Sequence, residues 1–157
     1  MCRTRSLILL LLCASLTACG YSFVLDGKVS TEKYNLEATV NRTSLVDAGT
    51  ILDAHLERTL SSMDMLAPDE SRLTLHTTLA SFSTETVTAP SVTSTDRYRL
   101  HISVACRITD AQGKELWTMK FRDTGTFAEG GRAEDALDEA GRRVSQQIAL
   151  TLASLTP

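Results

Sequence analysis

The residue pattern predicts an α+β domain: a four-stranded, mostly antiparallel sheet with two helices packed on one face, in the order β-α-β-β-β-α. Three observations carry this. Tyr98, Leu100, Ile102, Val104, Cys106 and Ile108 alternate with polar or small residues without a break, the period of a half-buried strand. Two segments, near 47–63 and 133–155, instead repeat their apolar residues at spacings of three and four, the period of an amphipathic helix. Each strand has one apolar face and each helix one apolar stripe, so the simplest packing puts both helices on the same side and leaves the other side of the sheet open.

Residues 1–18 read as an address removed from the mature protein. Arg3 and Arg5 precede the apolar run Leu7-Ile8-Leu9-Leu10-Leu11-Leu12, far short of the ~20 residues that span a bilayer. The run leads into Leu16-Thr17-Ala18-Cys19, the pattern at which a bacterial lipoprotein signal is cut and the new N-terminal cysteine acylated. A plain secreted protein cut near Ala18 would carry Cys19 as a spare thiol; lipidation is favoured because it demands cysteine at this one position. Cys19 is expected to carry diacylglycerol and an N-acyl chain, with no other cofactor. Gly20 rather than Asp follows it, which under the sorting rule of enteric-like bacteria permits export to the outer membrane, with the domain on the periplasmic side.

Removing the signal leaves 139 of 157 residues and, with Arg3 and Arg5 gone, a net charge of about −5. That length fits one domain, and that charge argues against a nucleic-acid partner. Of the four cysteines, Cys2 and Cys13 leave with the signal and Cys19 bears lipid. Cys106 is then the one free thiol, and no internal disulfide is expected.

Residues 19–33 show neither period and read as a lipidated tether, with residues 34–157 forming the single domain. From Tyr34 a first strand alternates, Leu36, Ala38 and Val40 on one side against Asn35, Glu37 and Thr39. It ends in a turn at Asn41-Arg42-Thr43. Asp47 stands as N-cap of a helix to about Met63 whose stripe is Ile51, Leu52, His55, Leu56, Thr59, Leu60 and Met63, while Asp53, Glu57 and Arg58 face water. His55 has no second ligand at metal spacing and reads as a packed, hydrogen-bonded histidine.

The second strand, Arg72 to Phe82, puts Leu73, Leu75, Thr77 and Leu79 inward, with a phase slip at Phe82 that marks a bulge or the strand's end. Residues 83–95, rich in hydroxyls and broken by Pro90, fit either a long hairpin loop or two frayed strand extensions. The Tyr98–Ile108 strand follows, then a hairpin turn over Asp110–Lys114 with Gly113 suited to positive φ. Strand four directs Trp117, Met119 and Phe121 inward and Leu116, Thr118, Lys120 and Arg122 outward. Gly125 to Arg132 reads as a loop, whose Gly130-Gly131 lacks the lysine pattern of a phosphate cradle. The final helix carries Leu137, Ala140, Val144, Ile148, Leu152 and Leu155 on its buried stripe, with Glu134 and Asp135 in the first turn, where the helix dipole favours acids.

Outward positions of strands two to four collect Arg72, His76, Arg97, Arg99, His101, Arg107, Lys120 and Arg122, with no carboxylate among them; Glu37 on strand one is the exception. A one-signed face in an acidic chain concentrates anions; edge protection alone does not require every charge to share a sign. Catalytic signatures are missing: no H-E-x-x-H, paired C-x-x-C, G-x-S-x-G or dinucleotide fingerprint occurs. The chain reads as non-enzymatic, with no metal site.

Cys19-Gly20-Tyr21-x-Phe23 after a lipoprotein signal, a first strand ending in Asn41-Arg42-Thr43, an amphipathic helix, the Tyr98–Ile108 strand running into Asp110-Ala-Gln-Gly113-Lys-Glu-Leu-Trp117, and a long C-terminal helix together resemble the LptE family. These are lipopolysaccharide-assembly lipoproteins of the Gram-negative outer membrane. The resemblance implies two helices on a four-stranded sheet and a plug inside the β-barrel translocon LptD that aids barrel assembly and binds lipopolysaccharide. It also implies basic lipopolysaccharide contacts; the open-face pattern nominates Arg97, Arg99, Lys120 and Arg122. The segment between Cys19 and the first strand is shorter than the family's. A reading from another class is a lipid-anchored structural adaptor or auxiliary subunit of another cell-envelope transport complex, which would share fold and anchor without binding lipopolysaccharide.

Overall fold

A computed structural model describes residues 32–68, 71–87 and 97–155. The expected signal, the Cys19 lipid site, most of the tether and the 88–96 segment lie outside the described residues. The elements are β1 (Tyr34–Leu36), β2 (Val40–Asn41), α1 (Ala48–Ser62), β3 (Leu73–Val87), β4 (Arg97–Thr109), β5 (Glu115–Ala128) and α2 (Ala133–Ser154). The class is α+β as the periodicity predicts.

The sheet runs β1-β3-β4-β5, with β2 also paired to β3. β3, β4 and β5 are antiparallel neighbours, whereas β1 and β2 lie parallel to β3. The parallel pairing follows from the connection: a strand that reaches its neighbour through a helix arrives pointing the same way. The sheet is thus mixed, and a single parallel bridge from Tyr34 to Leu66 adds a sixth contributor.

The expected count of four strands fails at the first, which splits in two. Leu36 pairs with Leu75 and Val40 with Thr78, so four steps on one strand meet three on the other. This extra residue reverses the phase: Val40, expected inward, is 52% exposed, and Thr39, expected outward, turns in. The Thr39 amide and hydroxyl donate to Asp53 of α1, and its hydroxyl also lies 2.6 Å from that of buried Thr77. Asp53, expected to face water, instead satisfies a backbone N–H that the ladder has released.

Asn41 makes the predicted turn, its Oδ1 accepting from the Thr43 amide at 2.9 Å and its Nδ2 donating to the Leu45 carbonyl at 2.7 Å. Asp47 occupies the N-cap of α1 but makes no side-chain cap bond. The slip on β3 is a register shift between Leu79 and Ser81. Beyond it the strand continues to Val87, so residues 83–87 are an extension paired with β4. β5 likewise runs on to Ala128, which places Gly125 within a strand and not in a loop. The reason is contact: a Cβ at Gly125 would stand 1.8 Å from the carbonyl oxygen of Ala136, where α2 crosses β5. The turn after β4 forms as predicted, with Gly113 at φ 77°.

Leu52, Leu56 and Leu60 of α1 and Leu137, Val144, Ile148 and Leu152 of α2 join Leu75, Leu79, Leu100, Ile102 and Val104 of the sheet in one buried cluster. Cys106 belongs to it, a free thiol whose pKa burial pushes up to about 12, so it acts as a small hydrophobe. His55 is buried as a packed histidine, with Nε2 2.8 Å from Asp138 of α2. Gly141 leaves room for its ring, since a Cβ there would lie 3.3 Å from His55 Cδ2.

Candidate functional site

With both helices on one face, the other face of the sheet stands open. Ladder register fixes which side chains share it. Along β4 the outward positions are Arg97, Arg99, His101, Ser103, Ala105 and Arg107. Opposite them on β5 stand Ala128, Thr126, Thr124, Arg122, Lys120 and Thr118. The nominated Arg97, Arg99, Lys120 and Arg122 therefore do share the open face, but in two groups. Arg122 pairs with Ser103, four residues from Arg99 and so roughly 13 Å along the strand. Lys120 pairs with Ala105, which makes Arg107 its diagonal neighbour at about 7–8 Å. Arg107 completes a cluster with Lys120 and Arg122, while Arg97 and Arg99 stand apart at the far end.

Between the groups stand His101 and Ser103 on β4, with Thr124 opposite His101 on β5. Five cations, Arg97, Arg99, Arg107, Lys120 and Arg122, are exposed, and none makes an ion pair with another described residue. The absence of carboxylates expected for the outward positions of strands two to four does not hold. The β3 extension sets Glu85 directly opposite Arg99, with its carboxylate 3.2 Å from His101 Nε2. Sequence reasoning missed Glu85 because its hydroxyl-rich setting reads equally as a loop. Arg72 precedes β3, and so is not a member of the ladder.

His76 is engaged on both sides, Nδ1 with Glu37 and Nε2 with the Thr109 hydroxyl at 2.8 Å. Hydroxyl, imidazole and carboxylate stand in the order of a nucleophile relay. Thr109 is only 6% exposed, however, so its oxygen is closed to a substrate. What the chain of groups does is tie β4 and β3 to the segment after β1. Among the described residues no group of three or more His, Cys, Asp or Glu is placed to hold a metal ion.

The buried side of β5 is fastened by Arg143 of α2. Its Nε donates to Asp123 at 2.8 Å and Nη1 to Glu139 at 2.6 Å, and Nη2 reaches the Thr124 carbonyl. Glu139 in turn accepts the Thr126 amide at 3.2 Å. Hydrogen bonding from Arg143, and then from that amide, holds the Glu139 carboxyl below its usual range. Hydrogen bonds to Glu139 and then to Asp123 raise Arg143 in turn.

The near edge of that face departs from expectation. Trp117 and Phe121 turn inward as predicted, but Met119 is 45% exposed. Leu116, expected outward, falls at a register shift between Ile108 and Thr109 and lines a pocket with Trp117.

Comparison with solved structures agrees on the fold. A minor lipoprotein from Acinetobacter baumannii superposes with TM-score 0.57 at 14% identity, over 82% of this chain and 99% of that one. A hypothetical protein from Chlamydia trachomatis gives TM-score 0.56 at 10% identity, over 78% and 95%. A search of curated protein sequences finds no match. The family model described as LptE, lipopolysaccharide-assembly, matches residues 32–152, from just before β1 almost to the end of α2. This chain belongs to the LptE family of lipopolysaccharide-assembly lipoproteins.

Proposed function

We propose that this protein is a non-catalytic lipoprotein of the outer membrane, anchored on its periplasmic side through acyl chains on Cys19. It seats in the lipopolysaccharide-translocating β-barrel LptD, aids assembly of that barrel and binds lipopolysaccharide on its way to the outer leaflet. Family membership supports the pathway. The observation that carries the binding role is the open sheet face, where Arg97, Arg99, Arg107, Lys120 and Arg122 stand exposed without ion-pair partners among the described residues. Lipopolysaccharide brings phosphates and acidic sugars, which such a face attracts and orients.

The test is charge reversal. Arg97→Glu, Arg99→Glu and Lys120→Glu together are expected to weaken lipopolysaccharide binding by about tenfold or more while leaving the thermal melt near that of the parent. These side chains are exposed, so the core is untouched. Unchanged affinity would remove this face from the binding role.

A further inference from the structure

The first half of β5 carries two chemistries back to back. On the helix-bearing side, Leu116 and Trp117 join Tyr34, Leu73, Ile108 and Leu155 around a pocket of about 350 Å³. The register shift leaves Leu116 without a partner on β4, so two consecutive side chains serve one pocket where strict alternation would give one. Leu116 is 51% exposed, and the pocket lies across the end of the sheet, where β1, β3 and β5 begin and β4 finishes.

An apolar strip continues from that mouth. The rings of Trp117 and Phe121 have centroids 6.3 Å apart, against roughly 13 Å between backbone positions four apart in a strand. They lean together across position 119 and leave Met119 in solvent. On the opposite side of the same strand stand Lys120 and Arg122, with Arg107 diagonal to Lys120. Farther along, α2 closes the edge, because Glu139 takes the Thr126 amide and Arg143 the Thr124 carbonyl.

We propose that this edge grips an acylated, phosphorylated sugar, with one acyl chain in the pocket at Leu116 and Trp117 and running out past exposed Met119, and a phosphate on Lys120, Arg122 and Arg107. The assignment rests on the lipopolysaccharide-binding reading above and goes beyond it by giving the acyl chain a place. Apolar lining and charge together set the orientation: Tyr34, Leu73, Ile108, Leu116, Trp117 and Leu155 line the pocket, while Lys120, Arg122 and Arg107 stand on the opposite side of the sheet, so the chain enters and the phosphate stays outside. A second copy of this protein pairing β5 to β5 would bring Lys120 and Arg122 against their own like charges, which is unfavourable.

Trp117 is the one tryptophan in the chain and reports directly on the pocket. The purified protein is titrated with lipopolysaccharide and, separately, with fully deacylated lipopolysaccharide. The intact form is expected to shift Trp117 emission to the blue, while the deacylated form binds about tenfold more weakly and leaves the emission unmoved. Leu116→Glu and Met119→Glu, both at exposed positions, are expected to lower affinity for the intact form about tenfold and to leave the deacylated form unaffected. If Trp117 emission does not respond, or if both variants bind intact lipopolysaccharide as tightly as the parent, the acyl site is overturned while the cationic face stands. If the parent binds neither form, the lipopolysaccharide-binding reading itself fails.

Discussion

Arg143 does the work of several residues at once, because its planar guanidinium reaches Asp123, Glu139 and the Thr124 carbonyl from a single position on α2. One consequence is testable through Glu139. Its carboxyl is held below its ordinary range by Arg143 and the Thr126 amide. A carboxyl depressed in the folded state stabilises the fold above its unfolded pKa and loses that contribution as pH falls through the folded value. Denaturant unfolding at pH 7 and pH 3 is expected to show a smaller acid-induced loss of stability in Glu139→Gln than in the parent. Equal losses would show that Glu139 contributes nothing to the pH dependence. The side chain is 39% exposed, so solvent screens the pair and the effect belongs at the modest end of the range.

Helices and long strands were legible in the residues themselves. The period of three and four placed α1 and α2 within a residue or two of their ends, and the unbroken alternation of Tyr98–Ile108 placed β4. What escaped was decided by contacts between elements. Gly125 reads as a loop glycine in sequence, yet it lies within β5 because α2 passes too close for any side chain. Gly125→Ala is expected to cost about 1–3 kcal/mol or more by overpacking, measured as a lower unfolding midpoint in denaturant. An unchanged midpoint would mean that the helix shifts freely at this crossing. The split of the first strand escaped for a similar reason: its extra residue leaves the apolar pattern almost intact, and only Asp53 and Thr77, distant in sequence, reveal that Thr39 faces inward.

At the scale of the whole molecule, the division of labour between faces was readable and its detail was not. Alternation on strands two to four correctly sent Arg97, Arg99, Lys120 and Arg122 to the open side. Strand register, which sequence does not supply, then divided them into two groups and brought Arg107 to Lys120. The apolar pocket beside the start of β5 was hidden because a register shift turns Leu116 from a surface residue into a lining one. In sequence its trace is the adjacent apolar pair Leu116-Trp117 just after a turn. A helical layer on one side, a cationic sheet on the other and an apolar mouth at their shared edge suit a domain that meets an amphiphilic polyanion.

The most direct test of the binding claim is photo-crosslinking in living cells from position 103, the half-buried serine on β4 that pairs with Arg122 and lies between the two cation groups. The expected result is an adduct that carries lipopolysaccharide, recognised by its ladder on electrophoresis and lost after charge reversal of Arg97, Arg99 and Lys120. Adducts to protein alone, unaffected by that reversal, would contradict lipopolysaccharide binding at this face and point instead to a structural adaptor.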